Sequence, residues 1–411
     1  MPALTLTGDS HAPFAEGVRV VDLTTALAGP YCTAILADLG ADIISIEPVG
    51  GDDMRGRRSK LNGIDYPFQM VHRDKRSVAV DFRDPRGSEI VARLAESADV
   101  VVENFRPGVL QRHGLDAVTL RSRDVSLIYC SISGYGHTGP LQSAGGVDLV
   151  AQGHAGLMSV TGEQGGPPVK AGFPVSDVGA GMWAAIGVLG ALVRRATTGE
   201  GATIDVALTD GLVAWALWEV ADYQMTGLTP GPLGSAHRLT APYEAFECAD
   251  GAWLALASTD RRWPDFCALI ERPQLVCDDR FQTQALRYAN RQALSEIIAS
   301  CLILAPRATW LERLRLAGIP AGPVQTIPEA MQDTQFNERE MWHNLDVDGT
   351  EVTVINTPIK TSGAPGARKR APKIGEHTEE LLSQLGYATE EIYRLARAGI
   401  IAGLSSDPEC L

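Results

Sequence analysis

Strand and helix signals alternate through the first third of the chain, which predicts an α/β fold built on a mostly parallel sheet with helices on both faces. A breaker-rich segment followed by a hairpin signal predicts a second, smaller α+β unit in the middle of the chain. At 411 residues, 45% of them hydrophobic and 21% charged, the chain has material for two cores.

The opening reads as a βαβ unit: a strand at 18–23, a helix at 30–39 stopped by Gly40, and a strand at 43–47. The pattern recurs with a strand at 77–81, a helix entered through Asp84 and Pro85 as N-cap and first helical residue, and strands at 100–104 and 125–133. This resembles a doubly wound nucleotide-binding architecture. No GxGxxG follows the first strand, which disfavours a dinucleotide site.

A long apolar helix is expected at 178–193, ending in Arg194 and Arg195 and almost wholly buried, and a second apolar helix at 211–225. The run Gly227 to Gly234 (GLTPGPLG) is rich enough in chain breakers to be a linker or a mobile loop. Beyond it, strands at 243–248 and 252–257 flank Asp250-Gly251, and helices follow near 287–304 and 309–316. The expected division is therefore 1–225 with 327–411 as the large domain and 226–326 as the small one.

Composition also narrows function. A net charge of −14 argues against nonspecific nucleic-acid binding. Apolar runs fall short of the roughly 18 to 20 residues of a membrane span, and residues 1–16 lack the basic-then-apolar order of a secretory signal, so a cytoplasmic protein is expected. Seven scattered cysteines without a CxxC pair read as reduced thiols, mostly buried, and not as a metal site. Against the acidic average, Arg55, Arg57, Arg58, Lys60, Arg73, Lys75 and Arg76 form a basic stretch that suits a small polyanion or an ordinary solvated surface.

There is no GxSxG, HExxH or Walker loop. Asp177, ahead of the long helix, reads on spacing alone as an N-cap carboxylate. The alternative is chemical: Gly179, Ala180 and Gly181 leave room for an acyl group beside a carboxylate able to attack an acyl carbon. The turn Ala26-Leu-Ala-Gly-Pro30 sets small residues at a helix N-terminus, where free amides attract an anion.

Several blocks resemble the class III coenzyme A transferases, the family of the formyl-CoA and carnitine CoA transferases. They are VRVVDLTTALAGPYCTAILADLGADIISIEP, DKRSVAVDFRDPRG, VVENFRPGVLQRHGLD, SISGYGHTGP, GGVDLVAQGHAGLMSVTGE, the Asp177 segment and IGEHTEELLSQLGY, in that order over about 17–400. The resemblance implies a Rossmann-like large domain built from both ends of the chain, a smaller middle domain and an interlocked homodimer. It implies Asp177 as the acyl-carrying nucleophile, with coenzyme A contacts at Ala26, Leu27, Ala28, Lys75, Arg76, Asn104, Phe105 and Arg112. The glutamine that formyl-CoA enzymes carry beside the AGP turn is Leu27 here, and an arginine contacting coenzyme A is replaced by Pro48.

The implied substrates are an acyl-CoA and a carboxylic acid, with no metal. A dicarboxylyl donor such as succinyl-CoA fits the family's range, and Arg55, Arg57 or Arg58 are candidates to hold its distal carboxylate. An acyl anhydride hydrolyses readily, so Gly231 to Gly234 is a candidate lid. Two other readings stand beside this one. Related α-methylacyl-CoA racemases use a histidine before an aspartate, but here Gly146-Val147-Asp148 puts valine in that position, leaving His137 as the alternative base. A noncatalytic coenzyme A-binding protein would lack the nucleophile.

Overall fold

The computed structural model describes residues 12–56, 60–361, 366 and 368–404, so Arg57, Arg58 and Cys410 lie outside the described residues. The chain divides into two compact units: Met1–Gly156, Ala171–Trp215 and Glu338–Leu411 form the first, and Leu157–Lys170 with Ala216–Asn337 the second.

In chain order the first unit opens with β1 (Arg19–Asp22), α1 (Ala28–Asp38), β2 (Asp42–Glu47), α2 (Tyr66–His72), β3 (Arg76–Val80), α3 (Pro85–Glu96), β4 (Val100–Glu103), α4 (Ala117–Arg123), β5 (Ile128–Ser133) and α5 (Asp148–His154). After the short α6 (Leu157–Val160) of the second unit come α7 (Val175–Thr198), β6 (Thr203–Ala207), α8 (Leu208–Val213) and α9 (Leu217–Thr226). The helix expected at 211–225 is thus two helices. The Arg238 guanidinium lies 3.4 Å from Glu219 and 3.7 Å from Asp222, which ties α9 to the second unit and moves the boundary from the expected 225/226 to 215/216.

The second unit continues with β7 (Tyr243–Glu247), β8 (Trp253–Ala257), α10 (Trp263–Leu269), α11 (Gln284–Ala289), α12 (Arg291–Leu302), α13 (Arg307–Leu316), β9 (Ala321–Pro323), α14 (Ile327–Gln332) and α15 (Thr334–Glu338), the last of which ends at the boundary. Its strands form the antiparallel sheet β7-β8-β9, whose Phe246, Leu254 and Leu256 pack on Phe266, Ile298 and Trp310. The buried Arg287 donates to the carbonyls of Ala241 and Phe281 and pairs with the exposed Asp260, so its charge is matched at the edge of the core. The chain then returns to the first unit through the hairpin β10 (Trp342–Val347) and β11 (Thr350–Ile355), α16 (Thr378–Gln384), α17 (Thr389–Arg397) and β12 (Ile401–Ala402).

The first unit is organised by a seven-stranded sheet in the order β12-β3-β2-β1-β4-β5-β6, parallel throughout except for β12. Side chains alternate between its faces. Val21, Ile44, Val78 and Val101 meet α3, α16 and α17 through Ile90, Leu94, Leu382 and Ile392 on one face. The opposite face carries Asp22, whose carboxylate reaches Thr33 of α1. Asp84 caps α3 with its side chain on the Arg86 amide and Pro85 follows as the first helical residue, as the Asp-Pro pair predicts.

Asp22 is fully buried and receives the Lys75 ammonium at 2.9 Å, with Thr33 Oγ1 at 2.7 Å and the Thr24 amide at 3.0 Å. Lys75 also donates to the Pro30 carbonyl at 3.2 Å and to Thr33 Oγ1 at 2.8 Å. With both side chains at zero exposure, Lys75 is a buried counter-ion and not the coenzyme A contact that its position in the DKRS block suggested.

Helix α7 corrects a second expectation. Its buried face is made of small residues, Ser176, Gly179, Ala180, Gly181, Ala184, Ala185, Val188 and Ala191, so neighbouring backbone comes close while larger apolar side chains point away. Ile186 is 56% exposed and Val193 72%, which contradicts nearly complete burial. At 24 residues α7 is also long and apolar enough to cross a membrane by length and composition, which the run-length reading missed. It packs on α1, β5, β6 and α8.

Replacing Lys75 by Met keeps most of the volume but leaves Asp22 as an unpaired buried charge. The variant is expected to lose about 3 to 5 kcal/mol of stability, read from the urea unfolding midpoint at unchanged m-value.

Candidate functional site

In an open parallel sheet, ligands gather at the carboxyl ends of strands where the winding reverses. Here that point lies between β1 and β4, with β2 and β3 on one side and β5 and β6 on the other. Asn104, just past β4, clamps the turn after β1: its Oδ1 accepts from the Thr25 amide at 2.9 Å and its Nδ2 donates to the Thr25 carbonyl at 2.7 Å. This clamp holds Ala26 in the left-handed region at φ 65°, a strained conformation for a residue with a Cβ. Leu27 then begins α1 with no side-chain cap, and its carbonyl accepts from the Tyr31 amide at 2.8 Å. The amides of the first turn thus form an electropositive helix end beside Ala26, Leu27 and Ala28.

Phe105 is next to Asn104, with its amide on Glu103 Oε2 at 2.8 Å and its ring edge-on to Phe82 at 5.7 Å. Phe82 in turn meets His113 at 5.6 Å. The exposed Arg112 lines a hollow of about 300 Å³ with Arg83, His113 and Arg123. These predicted residues therefore form one continuous region of the first unit. Arg76 is committed elsewhere, with Nε on Asp42 at 2.9 Å and a second nitrogen 3.3 Å from Glu380. Arg55 is also occupied, bidentate to Glu47 at 2.7 and 2.9 Å and stacked over Phe68. It is not a free guanidinium for a substrate carboxylate.

Asp177 is not an N-cap. The helix starts two residues earlier, with Pro174 in the cap position, so Asp177 lies in the first turn, half-buried. Among the described residues no hydrogen bond satisfies its carboxylate. Burial, with Asp148 nearby, raises its pKa from the usual 3.8 to about 6. Asp148 is held in place: its Oδ1 accepts from the Ser176 amide at 3.0 Å and from Ser176 Oγ at 2.7 Å, and its Oδ2 accepts from Gln152 at 2.7 Å. Gln152 Oε1 takes the Ala171 amide at 2.9 Å, fixing the entry to the helix. Sequence reasoning weighed Val147 and passed over Asp148. The available signal was an acidic first residue of a helix, which is too common to stand out.

The small residues after Asp177 do not leave room for an acyl group. A Cβ on Gly179 would lie 2.6 Å from the Trp215 ring, and one on Gly181 would lie 2.6 Å from the Ala28 carbonyl oxygen. They serve helix packing. Because Asp177 and Gly181 are four apart on one helix face, this contact sets the carboxylate about one turn from the start of α1.

Gly234, in the second unit, has φ +63° and donates its amide to the Gly162 carbonyl at 2.8 Å. Its α-carbon faces the Glu163 carboxylate, and Gly231 accepts from Arg238 at 2.8 Å. The segment is thus tethered at both glycines.

Residues 15–378 match the model of "CoA-transferase family III". The succinyl-CoA:mesaconate CoA-transferase of Haloarcula hispanica is 37% identical over 91% of this chain and 97% of that protein. The succinate–glutarate CoA-transferase of Agrobacterium fabrum is 36% identical, over 92% of this chain and 96% of its own. Among solved structures, a CAIB/BAIF family protein from Brucella suis is 37% identical with a TM-score of 0.80, covering 91% of this chain and 99% of that one.

The raised pKa of Asp177 has a sign for stability. Between about pH 4 and 6 the folded state holds a proton that the unfolded state has released, so folding weakens as pH rises through this window. Asp177→Asn, neutral at all pH, is expected to unfold at higher temperature than the parent at pH 7.5. The difference should shrink towards pH 4 in a calorimetric series.

Proposed function

Because the chain belongs to CoA-transferase family III, we propose that it moves coenzyme A from a dicarboxylyl-CoA donor, succinyl-CoA foremost, to a carboxylic acid acceptor through acyl intermediates on Asp177. The observation that carries this reading is the carboxylate of Asp177, half-buried, without a hydrogen-bond partner among the described residues and one turn from the electropositive start of α1. The donor follows from relatives named for succinyl-CoA or succinate.

With a pKa near 6, Asp177 is ionised at neutral pH yet more basic than an ordinary aspartate, which strengthens it as a nucleophile. Its oxygen attacks the donor thioester carbonyl. The carbon–sulfur bond breaks, leaving a mixed anhydride and coenzyme A thiolate. The thiolate attacks the aspartyl carbonyl and releases the donor acid, which leaves coenzyme A joined to Asp177 as a thioester. The acceptor carboxylate attacks that thioester, and the freed thiolate then takes the acceptor acyl group and regenerates Asp177. The free amides at the α1 start suit the anions formed in each step.

In this reading Ala26, Leu27, Ala28, Asn104, Phe105 and Arg112 bind coenzyme A, while Lys75 and Arg76 act within the protein. A second copy of the chain covers the apolar side chains that α7 turns outward, Ile186 and Val193 among them, in a homodimer.

Incubation with succinyl-CoA is expected to add a succinyl or coenzyme A mass to the peptide holding Asp177, and Asp177→Ala to abolish exchange between donor and acceptor acids. Full exchange in that variant would sink the mechanism. The acid limb of kcat/KM is expected near pH 6 in a pH–rate series, the value at which Asp177 loses its charge. Light scattering should give a dimer mass, and Ile186→Lys should shift it towards the monomer.

A further inference from the structure

The mechanism above gives no part to His137, yet the side chain stands in a built position. Glu103, Ser131 and Asp205 share one register row across β4, β5 and β6, so their side chains lie on one face at the carboxyl end of the sheet. His137 meets the two carboxylates in different ways, by its backbone at Asp205 and by its ring beside Glu103, where among the described residues the buried Nε2 has no hydrogen-bond partner of its own. Its backbone amide donates to Asp205 Oδ2 at 2.8 Å, and its ring Nε2 lies 3.9 Å from Oε1 of Glu103, which is only 5% exposed. Residues 138–145, immediately after it, are exposed.

Two contacts carry the position of this segment to the nucleophile. Gly134 and Gly146 are in backbone contact: a Cβ on Gly134 would lie 2.6 Å from the Gly146 Cα. Two residues after Gly146 comes Asp148, which holds Ser176 next to Asp177. The ring of Tyr135 meets His154, the last residue of α5, edge-on at 5.2 Å. The segment 134–137 thus touches α5 at its last residue and just ahead of its first. Thr209 adds a donor to the Gly134 carbonyl at 3.2 Å.

We propose that His137 is a positioning residue for Asp177: with its amide on Asp205 and its ring packed beside the Glu103 carboxylate, it fixes the segment 134–137, which seats α5 and so sets Asp148 against the first turn of α7. The proposal rests on Asp177 being the nucleophile. It gives the side chain a mechanical task and no proton transfer, in contrast to the base of a racemase.

The experiment measures exchange kinetics and the rate of acyl adduct formation at Asp177 with succinyl-CoA in three proteins: parent, His137→Ala and His137→Gln. Loss of the imidazole lets the nucleophile drift, and misplacement on the ångström scale costs about 10- to 100-fold. His137→Ala is therefore expected to lower kcat and the adduct rate by that factor, with KM for acyl-CoA unchanged within about twofold. Glutamine offers an N–H towards Glu103 but cannot serve as a general base, so His137→Gln is expected to recover most of kcat. Wild-type kcat in His137→Ala, an effect confined to KM, or a glutamine variant as impaired as the alanine one would each overturn the proposal. The absence of any adduct at Asp177 in the parent protein would instead overturn the nucleophile reading, whatever the histidine variants show.

Discussion

One buried carboxylate organises the head of the large sheet. Asp22 closes β1, accepts from the Thr24 amide and hydroxyl, reaches Thr33 on α1 and receives Lys75 from the approach to β3. Strand, turn, helix and the approach to a strand two places along the sheet therefore meet at one charge with no access to water. A buried ion pair earns its place only when its remaining hydrogen bonds are met, and here both partners are satisfied by hydroxyls and carbonyls. The turn that carries Ala26 rests on this base and is held from the other side by Asn104.

The second constraint is the small face of α7. Glycine and alanine along the buried stripe let the helix lie against α1 at backbone distance, which brings Gly181, one turn after Asp177, against the start of that helix. The same choice leaves the bulky apolar residues on the outer face. Packing and the placement of Asp177 follow from one pattern. The site itself is locally unfavourable: its carboxylate is partly desolvated and stands near a second one, a penalty that the surrounding fold sustains.

Much of the fold was legible along the chain. The βαβ rhythm, the Asp84-Pro85 helix start and the hairpin around Asp250-Gly251 are local signals, and local signals survive translation into structure. The apolar run over 211–225 reads as one helix because composition does not mark the break at 214–216. Burial of α7 was overstated because hydropathy alone does not say which side of an apolar helix has neighbours. At the site, Asp177, Asn104 and the Ala26 turn are candidates only through the ordered blocks of a family, whereas spacing alone offers a helix cap.

By itself the sequence determined the alternating architecture, the residue types available at the strand ends and the family to which the chain belongs. Tertiary structure alone decided which charges are free to act. Lys75, Arg76 and Arg55 read alike as basic residues, but their carboxylate partners come from Asp22, Asp42 and Glu47 on adjacent strands. Asp148 and Ser176 become a pair across 28 positions, and His137 meets Asp205 across 68. Periodicity records only what a residue shares with its neighbours along the chain. Whether a charge is spent or available depends on partners brought in from far away, and that is settled when the sheet closes its register.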